Sequence, residues 1–365
     1  MKSSSKKHVA CFISAHGFGH ASRTTAILEH LIEMDDAVHF HLFTTVPRWF
    51  FDFPLSKRFT YHSTVTDVGF VQRSPFLEDL EETARLLDAF FPFDPRLLDS
   101  LAEKISEPTC RAVLCDISPL GIAVAKKAGF LSVLVENFTW DWLYAGYPDF
   151  SQKVKRHIDY LNFLFNTADH RIQTEPVCCP ATGCPTLPPI SRKPRTNPQT
   201  VRKHLGIPDE QALVLITLGG IPDQMSFLSR LKEAKDFQFI IAGGSDAGAR
   251  QDNVWLLPHQ SDLYHPDLVF ASDGVIGKAG YSTLAEVYSA GIPFGFIPRP
   301  DFAESLVLSD FIEKKMPGRR IPAEIFYAGD WVPQLKEWIK IGEKRQLQQN
   351  GAWEAARLIC DLLNP

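Results

Sequence analysis

The chain has little cysteine, no excess of either charge and no long apolar run, and each shortage removes a class of protein. Seven cysteines among 365 residues (Cys11, Cys110, Cys115, Cys178, Cys179, Cys184 and Cys360) are too few and too scattered for a disulfide framework. Their odd number, and an opening Met1-Lys2-Ser3 with no apolar secretory segment behind it, point to a reducing, cytoplasmic setting. Cys178, Cys179 and Cys184 do not reproduce the paired Cys-x2-Cys spacing of a zinc site, so no metal is expected. Lys+Arg 38 against Asp+Glu 43 leaves a net charge of -5, which argues against a nucleic-acid partner. No stretch approaches the ~18 apolar residues of a membrane span, so membrane contact, if made, is expected to be peripheral. Nothing reads GxxxxGK[ST], which excludes a Walker phosphate loop.

What is present is an ordinary globular composition, 45% hydrophobic and 22% charged, in a chain whose length at about 150 residues per domain gives two domains. Strand-like runs alternate with helical ones. His8 to Ser14, Val38 to Thr44, Ala112 to Cys115 and Leu131 to Val135 read as strands. Ala21 to Met34, Leu77 to Phe90, Pro95 to Ile105 and Ile117 to Ala128 read as helices. Such alternation predicts α/β architecture with parallel, doubly wound sheets.

Seven prolines between Thr174 and Thr200 (Pro176, Pro180, Pro185, Pro188, Pro189, Pro194 and Pro198) mark a stiff linker. The expected division is 1–173, a linker at 174–200, a second domain at 201–345 and a closing helix at 346–365 that packs back on the first domain. In the second half the predicted strands are Ala212 to Thr217, Gln238 to Ala242, Leu268 to Ala271 and Pro293 to Ile297. Gly280 to Ala290 and Trp331 to Gly342 are read as helices. Glycines cluster at the strand ends, Gly219-Gly220 among them, where open α/β sheets bind ligands.

Two segments carry chemistry. In Ser14-Ala15-His16-Gly17-Phe18-Gly19-His20-Ala21-Ser22-Arg23, Gly17 and Gly19 permit a sharp strand-to-helix turn that carries His20 to the helix start. A histidine there suits proton abstraction at neutral pH; the alternative is a helix-terminal histidine without chemistry. A dinucleotide reading of Gly17-x-Gly19-x-x-Ser22 fails because the second strand, Phe40 to Thr45, ends without the acid that would hold a ribose. Asp116, directly after the strand Ala112 to Cys115, either orients the His20 imidazole or caps the next helix. In the second half, Gly277-Lys278-Ala279-Gly280-Tyr281-Ser282-Thr283 opens a helix whose free amides and dipole favour a phosphate. Gly280, Ser282 and Thr283 are the candidate contacts, and Glu286 is placed to accept from a ribose diol. Thr283-Leu284-Ala285-Glu286 also fits a capping box.

These residues resemble the GT-B glycosyltransferases, over nearly the whole chain. With Asn137-Phe138-Thr139-Trp140-Asp141-Trp142 added, they look most like the glycosyltransferase-like N-terminal region of plant-type L-arabinokinases, with Ala15 where a glycine is common. No counterpart of the kinase domain is found before Pro365, so kinase activity is not carried over. The resemblance implies two facing Rossmann-like domains, acceptor in the first and donor nucleotide in the second. It implies His20 as the acceptor-activating base with Asp116 as its partner. Gly280, Ser282 and Thr283 fall on the diphosphate side and Glu286 on the ribose, while Gly219 and Gly220 are nucleotide-binding candidates from their place at a strand end. Many members carry an Asp-Gln pair for the donor sugar where this chain has Asp301-Phe302-Ala303-Glu304-Ser305, which leaves that contact to Glu304.

On the acceptor side the candidates are His16, Asn137, Trp140 and Asp141, with Trp49-Phe50-Phe51 as sugar-stacking or core aromatics. Arg48, Lys57 and Arg58 beside them read as a membrane-facing or simply solvated rim. His39 and His41, alternating on one strand, read as structural. The expected activity is glycosyl transfer with inversion from a nucleotide diphosphate sugar, UDP-linked, to the hydroxyl of a small-molecule or lipid-linked acceptor. No cofactor is expected beyond the nucleotide sugar as co-substrate. The alternatives are a nucleotide-sugar epimerase on the same fold, and a non-catalytic protein that binds a sugar nucleotide or another small molecule.

Overall fold

A computed structural model describes residues 7–52, 54–74, 77–106, 110–218, 226–258, 260–340 and 346–364. The chain forms two compact units. One comprises Met1–Arg73, Glu78–Ile190 and Asn350–Pro365, and the other Ser191–Gln349 with the short piece Ser74–Leu77.

The first unit is built on a seven-stranded sheet of β1 (Lys7–Ile13), β2 (Val38–Thr44), β3 (Phe59–Ser63), β4 (Cys110–Asp116), β5 (Leu131–Glu136), β6 (His170–Thr174) and β7 (Thr186–Leu187). The spatial order is β3-β2-β1-β4-β5-β6-β7, and every pairing is parallel. The runs are continuously apolar because both faces are covered: Val9 to Ile13 and Val113 to Cys115 are all buried. The order reverses between β1 and β4, where Ile13 lies opposite Asp116. Such a switch point opens a crevice beyond the strand ends.

Helix α1 (Gly19–Met34) follows β1, and α2 (Pro119–Ala128) follows β4. The closing helix Ala352–Leu363 buries Ala352, Ala355, Ala356, Ile359 and Leu363 in the same core as Ile27, Leu28 and Leu31 of α1. On the opposite face of β1 to β3 stands a row of imidazoles. His8 Nδ1 is 2.7 Å from His41 Nε2, and His41 Nδ1 is 3.3 Å from His62 Nε2. His39 lies beside His8, ring centroids 5.4 Å apart.

The second unit repeats the plan with β8 (Ala212–Thr217), β9 (Phe237–Ala242), β10 (Ala249–Gln251), β11 (Val254–Leu257), β12 (Gly274–Lys278), β13 (Phe294–Ile297) and β14 (Gly318–Arg320). Their order is β10-β11-β9-β8-β12-β13-β14, parallel except for the edge pair β10 and β11. The switch falls between β8 and β12. There a Cβ on Gly277 would stand 2.3 Å from the Thr217 carbonyl oxygen, so only glycine lets the two strands meet.

The structure corrects several expectations. Leu268 to Ala271 is no strand but the end of a helix, His265–Ala271, and the strand lies beyond it in β12. A short apolar run bounded by polar residues has no period that separates helix from strand. The proline-rich stretch, expected as a stiff linker, contains regular structure. It contributes β7 to the first sheet and the helix Pro198–His204 to the second unit, because proline is tolerated at an edge strand and in a helix's first turn. Among the described residues of the segment read as one helix from Trp331, the structure forms a 3-10 turn at Val332–Gln334 and the helix Leu335–Trp338.

Candidate active site

At the crevice of the first unit, Gly17 adopts φ +75°, the left-handed turn conformation that suits glycine. It swings the chain from β1 into α1 and brings His20 into the second helical position. Asp116 is the last residue of β4, and Ile117 follows at φ +43°, a strained conformation for a β-branched side chain. This abrupt break aims the Asp116 side chain toward α1. Ser118, not Asp116, caps α2 by accepting from the Gly121 amide; the capping reading of Asp116 is therefore excluded.

His20 Nδ1 is 2.9 Å from Asp116 Oδ1. The carboxylate is completely buried and receives three further bonds. Arg23 donates from Nε to Oδ2 at 2.9 Å and from Nη2 to Oδ1 at 2.5 Å, and Thr24 donates its hydroxyl to Oδ2 at 2.9 Å. Burial pushes the Asp116 carboxyl up, but the Arg23 charge and the His20 and Arg23 hydrogen bonds outweigh it and hold it below the ordinary carboxylate value. An ionised Asp116 accepts from Nδ1–H, which fixes the tautomer and leaves the lone pair of a neutral ring on Nε2. Arg23 Nη1 also donates to Asn137 Oδ1 at 2.7 Å and to Thr174 Oγ1 at 3.4 Å.

The acceptor-side candidates divide by burial. Asn137 and Trp140 are almost wholly buried and Asp141 nearly so. Asn137 serves Arg23, while Asp141 accepts from Asn162 Nδ2 at 2.9 Å. Trp140 forms the wall behind the imidazoles, its ring 5.4 Å from His16 and 6.4 Å from His20. His16 is the partly exposed one of the four. It lies so close over Gly69 that a Cβ there would come within 2.8 Å of the ring. Trp49 is exposed at its edge, whereas Phe50 and Phe51 are core.

Sequence reasoning passed over Asp67. It lies in the loop after β3, a strand that the sequence reading did not mark. Thr66 Oγ1 donates to the Ile13 carbonyl at 3.0 Å, and Tyr144 Oη donates to the Gly69 carbonyl at 2.8 Å, which together hold the loop over the crevice. Asp67 is buried and accepts from Ser14 Oγ at 3.2 Å, with Thr66 Oγ1 lying 3.4 Å from its other oxygen. Trp140 turns its indole N–H toward the same carboxylate without meeting hydrogen-bond geometry. Burial pushes the Asp67 carboxyl up to about 6, against the pull of His20 and these donors.

In the second unit, Gly219 and Gly220 lie outside the described residues. Gly280 is the N-cap of the helix Tyr281–Ala290, with extended backbone and no side-chain cap. The capping-box reading of Thr283 and Glu286 thus fails, since both sit inside the helix. Thr283 is buried and Ser282 partly exposed in its first turn.

Glu286 is almost completely buried. Its Oε1 accepts from Arg192 Nη2 at 3.0 Å and Nε at 3.2 Å, and its Oε2 is 2.7 Å from His265 Nδ1. Burial raises the Glu286 carboxyl, but Arg192 and His265 hold it below its ordinary value. Arg192 lies in the proline-rich stretch and His265 opens the helix where the sequence pattern predicts a strand, so no sequence signal marks either. Near the ends of β12 and β13, Lys278 and Arg299 are both lowered by burial, Arg299 to about 10, with the Glu304 carboxylate opposing the shift in each. The Arg299 amide donates to Ser305 Oγ at 2.8 Å. Among the described residues no group of three or more His, Cys, Asp or Glu side chains is placed to hold a metal ion, and no helix is long and apolar enough to cross a membrane.

No family model matches the chain. It is 27% identical to L-arabinokinase from Arabidopsis thaliana over 369 residues, which cover 98% of this chain and 35% of that protein. It is 30% identical, over 140 residues, to the UDP-N-acetylglucosamine--N-acetylmuramyl-(pentapeptide) pyrophosphoryl-undecaprenol N-acetylglucosamine transferase of Desulforudis audaxviator, covering 33% of this chain and 36% of that one. The chain thus spans only about a third of the length of these curated relatives. Among solved structures, Acinetobacter baumannii MurG superposes with TM-score 0.57 at 15% identity, covering 97% of this chain and 99% of that one. The spinosyn forosaminyltransferase SpnP gives 0.62 at 15% identity, covering 98% and 95%. Two parallel-sheet α/β units with these neighbours define the architecture: the chain has the GT-B fold.

Proposed function

We propose that the protein is a glycosyltransferase that moves a sugar from a nucleotide diphosphate sugar, UDP-linked, to an acceptor hydroxyl with inversion. The observation that carries this reading is the His20–Asp116 pair at the switch point of the first unit, with Nδ1 held by a charged carboxylate 2.9 Å away. His20 Nε2 takes the acceptor proton as the hydroxyl oxygen bonds to the anomeric carbon, and the bond from that carbon to the diphosphate oxygen breaks. Nucleoside diphosphate leaves with the electron pair, stabilised by the amides that open the helix Tyr281–Ala290.

Ser282 and Thr283 are assigned to the diphosphate and Glu304 to the donor sugar. Glu286, with Arg192 and His265 on its oxygens, is assigned to shaping the nucleotide pocket, with the ribose hydroxyls meeting the group it forms with His265. The UDP choice is supported by neighbours such as Arabidopsis thaliana UGT89C1, solved with UDP at TM-score 0.58 and 13% identity, covering 98% of this chain and 100% of that one. A lipid-linked acceptor, with peripheral membrane contact, is the analogue of the undecaprenol substrate in the name of the Desulforudis relative.

The test is nucleoside diphosphate release from a panel of nucleotide sugars with mixed hydroxyl acceptors, comparing the parent with His20→Ala. The substitution is expected to remove turnover by about 100-fold or more and to leave donor affinity within about twofold; unchanged turnover would sink the base assignment.

A further inference from the structure

His20 faces a crevice whose charges can be counted. From α1 comes Arg23, from the end of β4 Asp116, from the loop after β3 Asp67, and from the loop after β1 the partly exposed His16. The helix Trp140–Ala145 adds Trp140 and Tyr144, and burial keeps the Tyr144 phenol protonated. Glu136, at the end of β5, accepts from Gln173 Nε2 at 2.7 Å.

The Asp116 charge already has an owner. Arg23 meets both of its oxygens in a forked, buried pair, and such a pair is neutral as a unit. Asp116 can orient the His20 ring, but it has little uncompensated charge left for an imidazolium. Asp67 is the carboxylate that balances the remainder. It is fixed by Ser14, whose own amide donates to the Asp116 carbonyl at 3.3 Å, and by Thr66, which is tied to Ile13. These bonds place it over the same switch point.

We propose that Asp67 is the counter-ion of the imidazolium formed when His20 takes up a proton, a positioning residue acting through His20 where Asp116 acts as its orienter. With Asp67 ionised, the group of Arg23, Asp116, Asp67 and neutral His20 carries one negative charge, and proton uptake brings it to zero. The rise of the Asp67 carboxyl to about 6, opposed by His20, fits a buried carboxylate without a cation of its own until His20 protonates. The proposal rests on the transfer reading for the source of the proton, but its test needs neither donor nor acceptor.

The test is a pH titration of ring-13C-labelled histidine in the free protein by NMR, with His20 assigned from His20→Gln. In Asp67→Asn the His20 resonance is expected to move at a pH about one unit lower than in the parent, a tenfold loss of proton affinity. Asp67→Glu, which keeps the charge, should restore most of it, and His157, far along the chain on another helix, should not move. Should Asp67→Asn fail to fold, Asp67→Ser removes the same charge with a smaller side chain. An unmoved His20 titration in a folded charge-removing variant, or an equal displacement in Asp67→Glu, overturns the proposal. Neither result bears on whether sugar is transferred, so this failure and that of the transferase reading remain distinct.

Discussion

Arg23 is a guanidinium with almost no exposed surface, and its partners Asp116, Asn137 and Thr174 come from the ends of three strands and their loops. Removing a buried charge's partner costs more than the pair itself contributes, because the survivor is left without water or counter-charge. Asp116→Ala is therefore expected to destabilise the first unit by about 3–5 kcal/mol, read from urea unfolding. His20→Gln is expected to cost less than about 1 kcal/mol, since Arg23 and Thr24 still satisfy the carboxylate. Equal losses in the two variants would contradict this division of labour. Glu286 obeys the same logic with Arg192 and His265: Glu286→Ala is expected to destabilise the second unit by about 3–5 kcal/mol and to weaken nucleotide binding. Unfolding and calorimetric titration on one preparation separate the two effects; an unaltered dissociation constant would leave Glu286 structural.

At the scale of elements, the strand β2 gives the clearest pH argument. Phe40 and Leu42 fill the core on one face while His39 and His41 join His8 and His62 on the other. Burial, then the neighbouring imidazoles, lower His41 to about 4. The unfolded chain, where histidine titrates near ~6.5, binds more protons between these values. His41 therefore contributes stability that is complete above about 6.5 and is lost as the pH falls toward 4. Asp67, raised to about 6 from an unfolded value near ~3.9, acts oppositely, gaining stability as the pH falls through that window. His41→Phe should thus flatten or reverse the acid slope of chemical-denaturation stability between pH 6.5 and 4. A slope unchanged from the parent would show that the imidazole row carries none of it.

Much of this scale could be read from sequence, and the failures have physical causes. Val38–Thr44, Pro95–Ile105 and Ala212–Thr217 occur at the expected limits, and the closing helix expected over 346–365 occupies Ala352–Leu363, because long periodic or continuously apolar runs leave one choice. His20 and Asp116 could be found because glycines and a strand end announced them. Asp67, Arg192 and His265 could not, since they belong to a loop after an unmarked strand, a proline-rich passage and a helix mistaken for a strand. Only tertiary folding brings Arg192 to Glu286, 94 positions away.

At the scale of the whole molecule, each unit has candidate residues beside the point where its sheet reverses order: His20 and Asp116 between β1 and β4, and the Gly277 turn between β8 and β12. One substitution probes the second of these. Gly277→Ala forces a Cβ against the Thr217 carbonyl, so it is expected to destabilise the protein by about 1–3 kcal/mol and, by parting the two strands, to weaken nucleotide affinity. Normal stability and affinity in that variant would mean the strands can separate at no cost. A nucleotide at ~100 times its dissociation constant adds about 2.7 kcal/mol, enough to raise the unfolding temperature by a few degrees. That rise is expected with UDP in the parent and should be smaller in Gly277→Ala.

The central claim is that His20 drives transfer from a nucleotide sugar, and the most direct measurement is single-turnover product formation with its anomeric configuration read by proton NMR. The parent should release UDP and give a product of inverted configuration, while His20→Gln binds the donor equally well and forms none. Product formation at the parent's rate by His20→Gln, or retention of configuration, would contradict the account.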